Sequence, residues 1–504
     1  MHRMETQSHK WRVVLVTPPF MSLGVHVGRK RPKGCLPPLG VGYLAGVLRQ
    51  QGNPVFYIDA MGSGLSVEET VEKVVGYSPD IVGISCMSSR GASTAYGLVS
   101  RLRDRLPRVF LVMGGAHVTS FGELALRECP ALNAIIPSEG EYIFAELVHA
   151  LEENRPLHQV PGVILRDERG VIQRNPEAPL PGELDRIPFP DRAIYDKTLY
   201  YPLMNLGMNS LEPATSIITS RGCPWNRCRF CFRGGYHDPK YRRRSPENVV
   251  DEIESIVRDT GVRQFKFLDD NFCINTKWIT RFCDLLDERG LSIRWSVLGR
   301  VDTVREVMLD RMAKSGCASV QFGVESGNQR LLDLMDKGIT LEQICQAVAW
   351  AKKAGLMTMA TCILGLPTET PAEADQTIRF ACGLNVDFMF FFPYAPLHGT
   401  VLAEMARKEG IVYDDVVEDV HFPVFVPYTY ESRKQLQQKV RQAYLRYYLR
   451  PAYWARQAKL LAQRPYLITN NLYALTYFLS MLRHMVGFSL ASGRKAASEP
   501  GRGM

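Results

Sequence analysis

Cys223, Cys228 and Cys231 fall within nine residues of one another, in the run Ser220-Arg221-Gly222-Cys223-Pro224-Trp225-Asn226-Arg227-Cys228-Arg229-Phe230-Cys231. Glycine and proline place the run on a loop. Thiolates are the usual holders of iron-sulfur clusters. Three of them leave one iron of a four-iron cluster without a protein ligand, and that iron can chelate a small molecule and pass it an electron. Tetrahedral zinc is the competing reading of cysteines two residues apart. Its fourth ligand would have to come from far along the chain, Cys273 being the nearest candidate.

Downstream, acids, a guanidinium and glycines recur at the ends of apolar runs. Phe267-Leu268-Asp269-Asp270-Asn271-Phe272 brings two carboxylates out of a buried strand, where they can bind an amino group or ribose hydroxyls. Gly299-Arg300-Val301-Asp302 offers a guanidinium able to clamp a carboxylate in a bidentate pair. Gly323-Val324-Glu325-Ser326-Gly327 and Gly365-Leu366-Pro367-Thr368-Glu369 add polar groups, with glycine where backbone has to approach a ligand closely. Taken singly, each is equally a solvated strand end. Their order and spacing after the cysteines carries the weight.

On these motifs the chain resembles radical S-adenosylmethionine enzymes of the subgroup with an N-terminal cobalamin-binding domain, over about residues 11–430. The commonest spacing in that family is C-x3-C-x2-C, whereas four residues separate Cys223 from Cys228 here. The extra residue widens the loop without abolishing three-point ligation. The resemblance implies a [4Fe-4S] cluster on the three cysteines and Phe230 stacked near the adenine of S-adenosylmethionine. Asp269, Asp270, Arg300, Glu325, Ser326 and Gly365 are then expected to line the rest of that ligand's site. Tyr394-Ala395-Pro396-Leu397-His398-Gly399-Thr400 resembles the turn that closes such barrels.

The resemblance also implies cobalamin bound with its lower base displaced. Corrinoid proteins of that kind place a ligand histidine in a loop after the first strand, Ser-x-Leu after the third and Gly-Gly after the fourth. Ser85-Cys86-Met87 and Gly114-Gly115 match the last two, and Cys35-Leu36-Pro37-Pro38-Leu39-Gly40 stands in place of the first. Gly40, Ser85, Met87, Gly114, Gly115 and Glu139 are thus the expected cobalamin-binding residues, small where an inserted nucleotide tail needs room. Pro37 occupies the position of the histidine, so no imidazole from that loop is expected under cobalt. His117 either faces the cofactor or serves as a hydrogen-bonding residue.

Strands alternating with helices must position these groups. Apolar runs at 11–17, 55–58, 81–85, 110–113 and 134–137 alternate with helical patterns at 42–51, 67–77, 95–106 and 143–154. That is an α/β pattern for residues 11–155, a doubly wound, Rossmann-like sheet that binds ligands at the carboxyl ends of its strands. Residues 156–212 are rich in Pro and Gly and read as a linker. Six further strand-helix units over 213–400 predict an open (β/α)6 partial barrel. From 401 to 504 the periodicity is helical, a C-terminal extension ending in a disordered tail.

A chain of 504 residues accommodates about three domains. Its 46% apolar and 22% charged residues describe a soluble globular protein. Twelve cysteines without a signal peptide read as reduced thiols in a cytoplasm, not as a disulfide framework. The net charge of +9 is concentrated in residues 432–504, where thirteen Lys and Arg face the single Glu499. Such a tail fits an anionic membrane surface, a nucleic acid or a basic face on a packing helix. No apolar run reaches the roughly 20 residues of a spanning helix; 472–490 is broken by Arg483, His484 and Gly487.

The resemblance implies methylation of an unreactive carbon. A 5'-deoxyadenosyl radical would abstract hydrogen from a small-molecule substrate, and methylcobalamin would deliver the methyl group, with a flavodoxin- or ferredoxin-type electron donor. Lipid, tetrapyrrole or secondary-metabolite substrates are expected, and the aromatic, basic run 444–451 resembles the tails of relatives acting on tetrapyrroles or hopanoids. Oxidative ring formation or rearrangement, as in the anaerobic cyclase of bacteriochlorophyll biosynthesis, is the alternative within the class. Transfer-RNA methylthiolation is the alternative outside it, requiring a second cluster on three N-terminal cysteines. Cys35 and Cys86 fall near strand ends, but Cys129 does not, and no small β-barrel follows the catalytic region. Nucleic acid is therefore not the expected partner.

Overall fold

A computed structural model describes residues 10–19, 36–167, 169–201, 207–232, 240–413, 421–472 and 475–476. Val13–Thr17 (β1) is buried along its whole length and apolar up to Thr17, as a parallel strand covered on both faces must be. Around it lie Val55–Asp59 (β2), Ile81–Ser85 (β3), Phe110–Gly114 (β4) and Ala134–Ile136 (β5), all parallel, in the order β2-β1-β3-β4-β5. Val13 and Leu15 pack under the helices Leu39–Gln50 and Glu141–Glu152, while Val14 and Val16 pack under Val67–Gly76 and Ala92–Arg105. The strand order reverses between β1 and β3, where a doubly wound sheet opens its crevice.

Ile164–Arg166 (β6) and Ile172–Arg174 (β7) continue this sheet as an antiparallel hairpin beyond β5. They fall in the segment expected as linker. Three residues each, two of the three exposed in β7, leave no alternation for a sequence pattern to register.

Thr215–Ile217 (β8) starts the second sheet. Ser220–Arg221 (β9) and Arg242–Arg243 (β10) form a short antiparallel pair that brackets the cysteine loop. Gln264–Phe267 (β11), Arg294–Gly299 (β12), Cys317–Glu325 (β13), Met357–Leu364 (β14) and Phe388–Pro393 (β15) then follow β8 in sequential parallel order. This is the six-stranded partial barrel expected from the alternation. Its largest core lies between strands and outer helices, where Phe265, Phe267 and Trp295 meet Phe272 and Phe282. The helices begin where caps allow: Ser245 accepts from the Asn248 N–H ahead of Pro246, and Thr340 and Thr370 form capping boxes.

Beyond residue 400 the structure departs from the wholly helical expectation. Gly410–Val412 (β16) pairs with Phe425–Pro427 (β17) before the helices Arg433–Tyr448 and Pro451–Gln463. Residues 473–474 and 477–504, which include part of the interrupted apolar run and the end of the basic tail, lie outside the described residues. No described helix is long and apolar enough to cross a membrane.

Six strands leave β15 an edge. The Tyr448 hydroxyl accepts from the Met389 N–H at 3.0 Å and donates to the Met389 carbonyl at 2.7 Å; Tyr444 accepts from the Phe391 N–H at 3.1 Å. Tyr447 donates to the Val386 carbonyl at 2.5 Å. Side-chain hydroxyls thus occupy backbone groups that a seventh strand would otherwise take. The aromatic run that resembled a substrate-related tail is packing here. Replacing Tyr444 and Tyr448 together by Phe strips partners from buried N–H groups at about 1–3 kcal/mol each. A clear drop in the urea midpoint is expected, against little change for Phe at the exposed Tyr428; equal midpoints would show that the hydroxyls contribute nothing to the edge.

Candidate active site

After β9 the chain turns through Gly222 at φ +83° and enters the cysteine loop. Cys223 and Cys231 are half-buried and Cys228 is buried. Trp225 pins the loop: its Nε1 donates to the Asp336 carbonyl at 2.8 Å, and its ring lies where a side chain at Gly338 would be, 2.0 Å from an added Cβ. The Arg229 N–H donates to the Met335 carbonyl at 2.9 Å, and its own carbonyl accepts from the Leu402 N–H at 3.0 Å. Among the described residues no three His, Cys, Asp or Glu side chains converge on one metal ion. A four-iron cluster needs no such point, because each thiolate serves its own iron.

Arg300 leaves the end of β12 and grips Asp302 through two 3.0 Å bonds, the Lys337 carbonyl at 2.8 Å, and Cys228 Sγ at 3.8 Å. Burial pushes the Cys228 thiol up to about 11, while Lys337 and Arg300 pull the other way. A cluster-bound sulfur is deprotonated outright, so these cations are placed to compensate its charge. Glu325 stands at φ +60°, at the register shift between β13 and β14. Its carboxylate meets Lys337 Nζ at 2.8 Å, both side chains being buried. Burial pushes the Lys337 ammonium down, but Glu325 and the Cys228 sulfur together outweigh it and the net displacement is upward. Lys337 Nζ also lies 5.6 Å from the Phe230 ring centre.

Three expected ligand groups are otherwise engaged. Asp269 is fully buried and accepts from the Thr219 hydroxyl at 2.6 Å, the Ser220 hydroxyl at 2.5 Å and the Thr219 N–H at 3.2 Å. It anchors the entrance of the cysteine loop, and burial raises its carboxyl; Asp270, its neighbour, is the exposed acid. Ser326 is fully buried, 3.0 Å from the Thr377 hydroxyl and accepting from the Asn328 N–H at 3.1 Å. Gly365, at φ +76°, faces Leu436, which an added Cβ would approach to 2.6 Å. That glycine answers to the helix Arg433–Tyr448.

Lys337, Trp225 and Asn271 join the site without belonging to its expected ligand groups. Asn271 Oδ1 accepts from the N–H groups of Cys273 and Arg300, both at 3.2 Å, tying the end of β11 to that of β12. Trp225 stands inside the cysteine run, where its position is itself the signal. Lys337 lies in a turn with no periodic signal.

At the N-terminal sheet, the carboxyl ends of β3 and β4 are knitted together: Cys86 N–H donates to the Gly114 carbonyl at 2.9 Å and His117 N–H to the Cys86 carbonyl at 3.1 Å. Gly114 leaves room, since an added Cβ would meet only the Ile136 carbonyl at 3.7 Å. Gly115 does not. At φ +102°, with an added Cβ falling 2.6 Å from the Cys86 carbonyl oxygen, its place is set by backbone and not by space for a nucleotide tail. Gly40 and Met87 are exposed and Ser85 is half-buried along the same edge, so the edge fits a large group laid across it. A cavity of about 380 Å³ lies among the segments that follow β4 and β5, bounded by Thr119, Gly122, Pro137 and Arg174. Cys35 lies outside the described residues. His117 is buried with both ring nitrogens engaged, Nε2 with Tyr96 at 2.6 Å and Nδ1 with Ser89 at 3.1 Å. Burial, with His398 nearby, holds it down to about 4; it is a hydrogen-bonding residue.

Glu139 has a different partner from the one expected. With Glu141 it crosses to the second sheet: Arg221 bonds Glu139 at 2.7 Å and Glu141 at 2.6 Å, and Arg242 pairs with Glu139 while donating to the Pro181 carbonyl at 2.6 Å. Nearby, His398 stacks on Phe121 at 4.7 Å, its Nδ1 lying 3.0 Å from the Ser120 carbonyl. Glu139 follows β5, Phe121 follows β4, Arg221 follows β8 and His398 follows β15. The carboxyl edges of the two sheets therefore face each other.

A family model described as Radical SAM superfamily matches residues 217–381, and one described as B12 binding domain matches residues 25–148. The chain is 34% identical over 453 residues to an uncharacterized methyltransferase of Pyrococcus horikoshii, covering 87% of this chain and 93% of that one. It is 31% identical over 450 residues to the anaerobic magnesium-protoporphyrin IX monomethyl ester cyclase of Rubrivivax gelatinosus, covering 88% and 78%. Among solved structures, the radical S-adenosylmethionine methyltransferase TsrM of Kitasatospora setae superposes with a TM-score of 0.64 at 19% identity, over 85% of this chain and 83% of that one. The cobalamin-dependent S-adenosylmethionine radical enzyme OxsB gives 0.63 at 21%, over 79% and 55%. These two likenesses are of fold. The chain belongs to the radical S-adenosylmethionine superfamily, in the group that joins a B12-binding domain to the radical barrel. It is an enzyme whose cofactors are a [4Fe-4S] cluster, S-adenosylmethionine and cobalamin.

The seam has a pH signature. Burial pushes the Glu139 carboxyl up, yet Arg242 and Arg221 outweigh it and hold it below its ordinary value of 4.5. A depressed carboxylate stabilises fully above its unfolded value and ceases to do so as pH falls through the folded one. Glu139→Gln is therefore expected to unfold more easily at neutral pH and to lose less stability on acidification below 4.5. Urea midpoints across that range decide it; parallel pH profiles for both proteins would leave Glu139 without this role.

Proposed function

We propose that the enzyme transfers a methyl group to an unactivated carbon of a lipophilic small molecule held between the facing edges of its two sheets. The apposition of those edges across the Glu139–Arg221 seam is the observation that carries the reading. When bound, the cluster and S-adenosylmethionine supply a 5'-deoxyadenosyl radical, and cobalamin supplies a transferable methyl group. Cys223, Cys228 and Cys231 would hold the cluster, with Arg300 beside Cys228. Phe230, Glu325 under Lys337 and the exposed Asp270 would line the S-adenosylmethionine site. Gly40, Ser85, Met87 and Gly114 would receive cobalamin. Pro37 offers no imidazole and both His117 ring nitrogens are engaged, so neither residue would supply a nitrogen ligand to the corrinoid.

We assign residues 11–155 to the cobalamin domain, 156–212 to a connecting segment that lends β6 and β7 to its sheet, 213–400 to the barrel and 401–504 to the C-terminal region. A flavodoxin- or ferredoxin-type donor would deliver the electron, and the basic C-terminal residues would meet an anionic membrane surface. Ring formation without methyl transfer is the second reading, favoured by the 31% identity to a cyclase.

Anaerobically reconstituted enzyme given S-adenosylmethionine with a trideuterated methyl group is expected to yield a product heavier by that group. Product formed without the label would transfer the assignment to cyclisation or rearrangement. Cofactor retention separates the domains. Gly114→Leu should fill the open space and lower bound cobalamin several-fold while iron content stays at the parent level. Cys228→Ala should lose the iron-sulfur absorbance and keep cobalamin. Parental cobalamin in Gly114→Leu would place the corrinoid elsewhere.

A further inference from the structure

β11 reads Gln-Phe-Lys-Phe and is buried throughout. Phe265 and Phe267 join the core under the helices. Lys266 therefore points the other way, into the barrel, in register with Ser216 on β8 and Ser296 on β12, with Ser319 beside Ser296 on β13. Lys266 is 7% exposed, and no described residue gives it a hydrogen bond or a carboxylate partner; the nearby Cys317 is a buried thiol that burial keeps protonated. Ser296 is 1% exposed and its hydroxyl is likewise without a partner. A buried cation with no counter-charge is among the costliest arrangements a fold can retain. Burial pushes its ammonium down to about 8, so it remains largely charged at neutral pH.

The barrel is open above it. Leu298, Gln321, Thr361, Ile363, Phe390 and Phe392 lie on the lumen face of β12 to β15 and are all partly exposed, while their strand neighbours toward the helices are buried. Lys266 thus forms part of the floor. Asp269, anchoring the cysteine loop, is three residues further along, about 10 Å at strand rise.

One positive charge and one free hydroxyl suit a singly charged planar acceptor. The Ser216 hydroxyl is already donating to the Pro37 carbonyl at 3.0 Å. A phosphate group would bring up to two charges and three acceptor oxygens, more than these groups can satisfy. A carboxylate is neutralised by the lysine alone, and the apolar walls above suit a hydrocarbon body.

We propose that Lys266, with Ser296, binds a carboxylate of the substrate, whose apolar body runs up the lumen toward the cysteine loop. The substrate class is a lipophilic carboxylic acid, a refinement that rests on the small-molecule reading above. Calorimetric titration of the anaerobic holoenzyme with octanoate, octanol and inorganic phosphate tests it without turnover. Octanoate is expected to bind at least about ten-fold more tightly than octanol, as a charge-assisted bond requires, and phosphate more weakly than octanoate. Lys266→Met should abolish the preference for octanoate and Lys266→Arg should keep part of it. Lys266→Met should also unfold at no lower temperature than the parent, because it removes an uncompensated buried charge.

Four results would overturn the assignment: no preference in the parent, the same preference in Lys266→Met, tighter binding of phosphate, or loss of folding in both Lys266→Met and Lys266→Gln. None of them touches the label-transfer result, so the methyl-transfer reading stands or falls separately.

Discussion

Two glutamates and two arginines, nearly shut off from water, join the two sheets, and the geometry of the active site depends on them. Arg221 is two residues before Cys223 and bonds Glu139 and Glu141 of the other domain. Ions removed from water are tolerable only when each meets its complement in good geometry. Here both signs are balanced, and planar guanidinium forks fix direction as well as distance. A domain shifted by a few ångströms would leave buried charges unpaired. The entrance of the cysteine loop is therefore set by the partner domain as much as by its own barrel.

The rest of the loop is held by the barrel. Asp269 fixes Thr219 and Ser220, Trp225 lies on Gly338, and Arg300 joins Cys228 to Asp302 and to the carbonyl of Lys337. Several polar groups at strand ends are thus occupied in holding the cysteines. Their recurrence at successive strand ends has a physical cause besides ligand binding. A long loop carrying three thiols has no regular hydrogen bonding of its own, and it takes its bonds from the strands it covers.

The alternation of strands and helices, the six-stranded order and the cysteine loop were legible because each is written locally, in apolar runs, caps and spacing. What escaped was decided across distance. Asp269 and Asp270 are adjacent acids, and period-two alternation turns one inward and the other outward without saying which is the anchor. Gly114 and Gly115 look alike, yet one leaves space and the other obeys a positive φ against Cys86. Gly365 owes its identity to Leu436, some seventy residues on. Glu139 reads as a turn residue at a sheet edge until its arginines arrive from the second sheet. The β6–β7 and β16–β17 pairs are too short for any pattern to mark.

The tyrosine hydroxyls on β15 bear on how the barrel can breathe. A fully closed barrel has its circumference set by a continuous ladder, and widening it means breaking backbone bonds along a whole strand. In this chain the last strand is met by individual hydroxyls of the helix Arg433–Tyr448, each holding one or two backbone groups. Such contacts can be exchanged for water one at a time, and the ring contacts among Tyr444, Tyr447 and Tyr448 travel with the helix. The girth of the lumen is consequently governed by side-chain packing along one flank, a softer spring than a strand ladder. An adjustable flank lets a bulky, rigid molecule be admitted sideways while the five strand-to-strand ladders, and the cysteines they support, stay where they are.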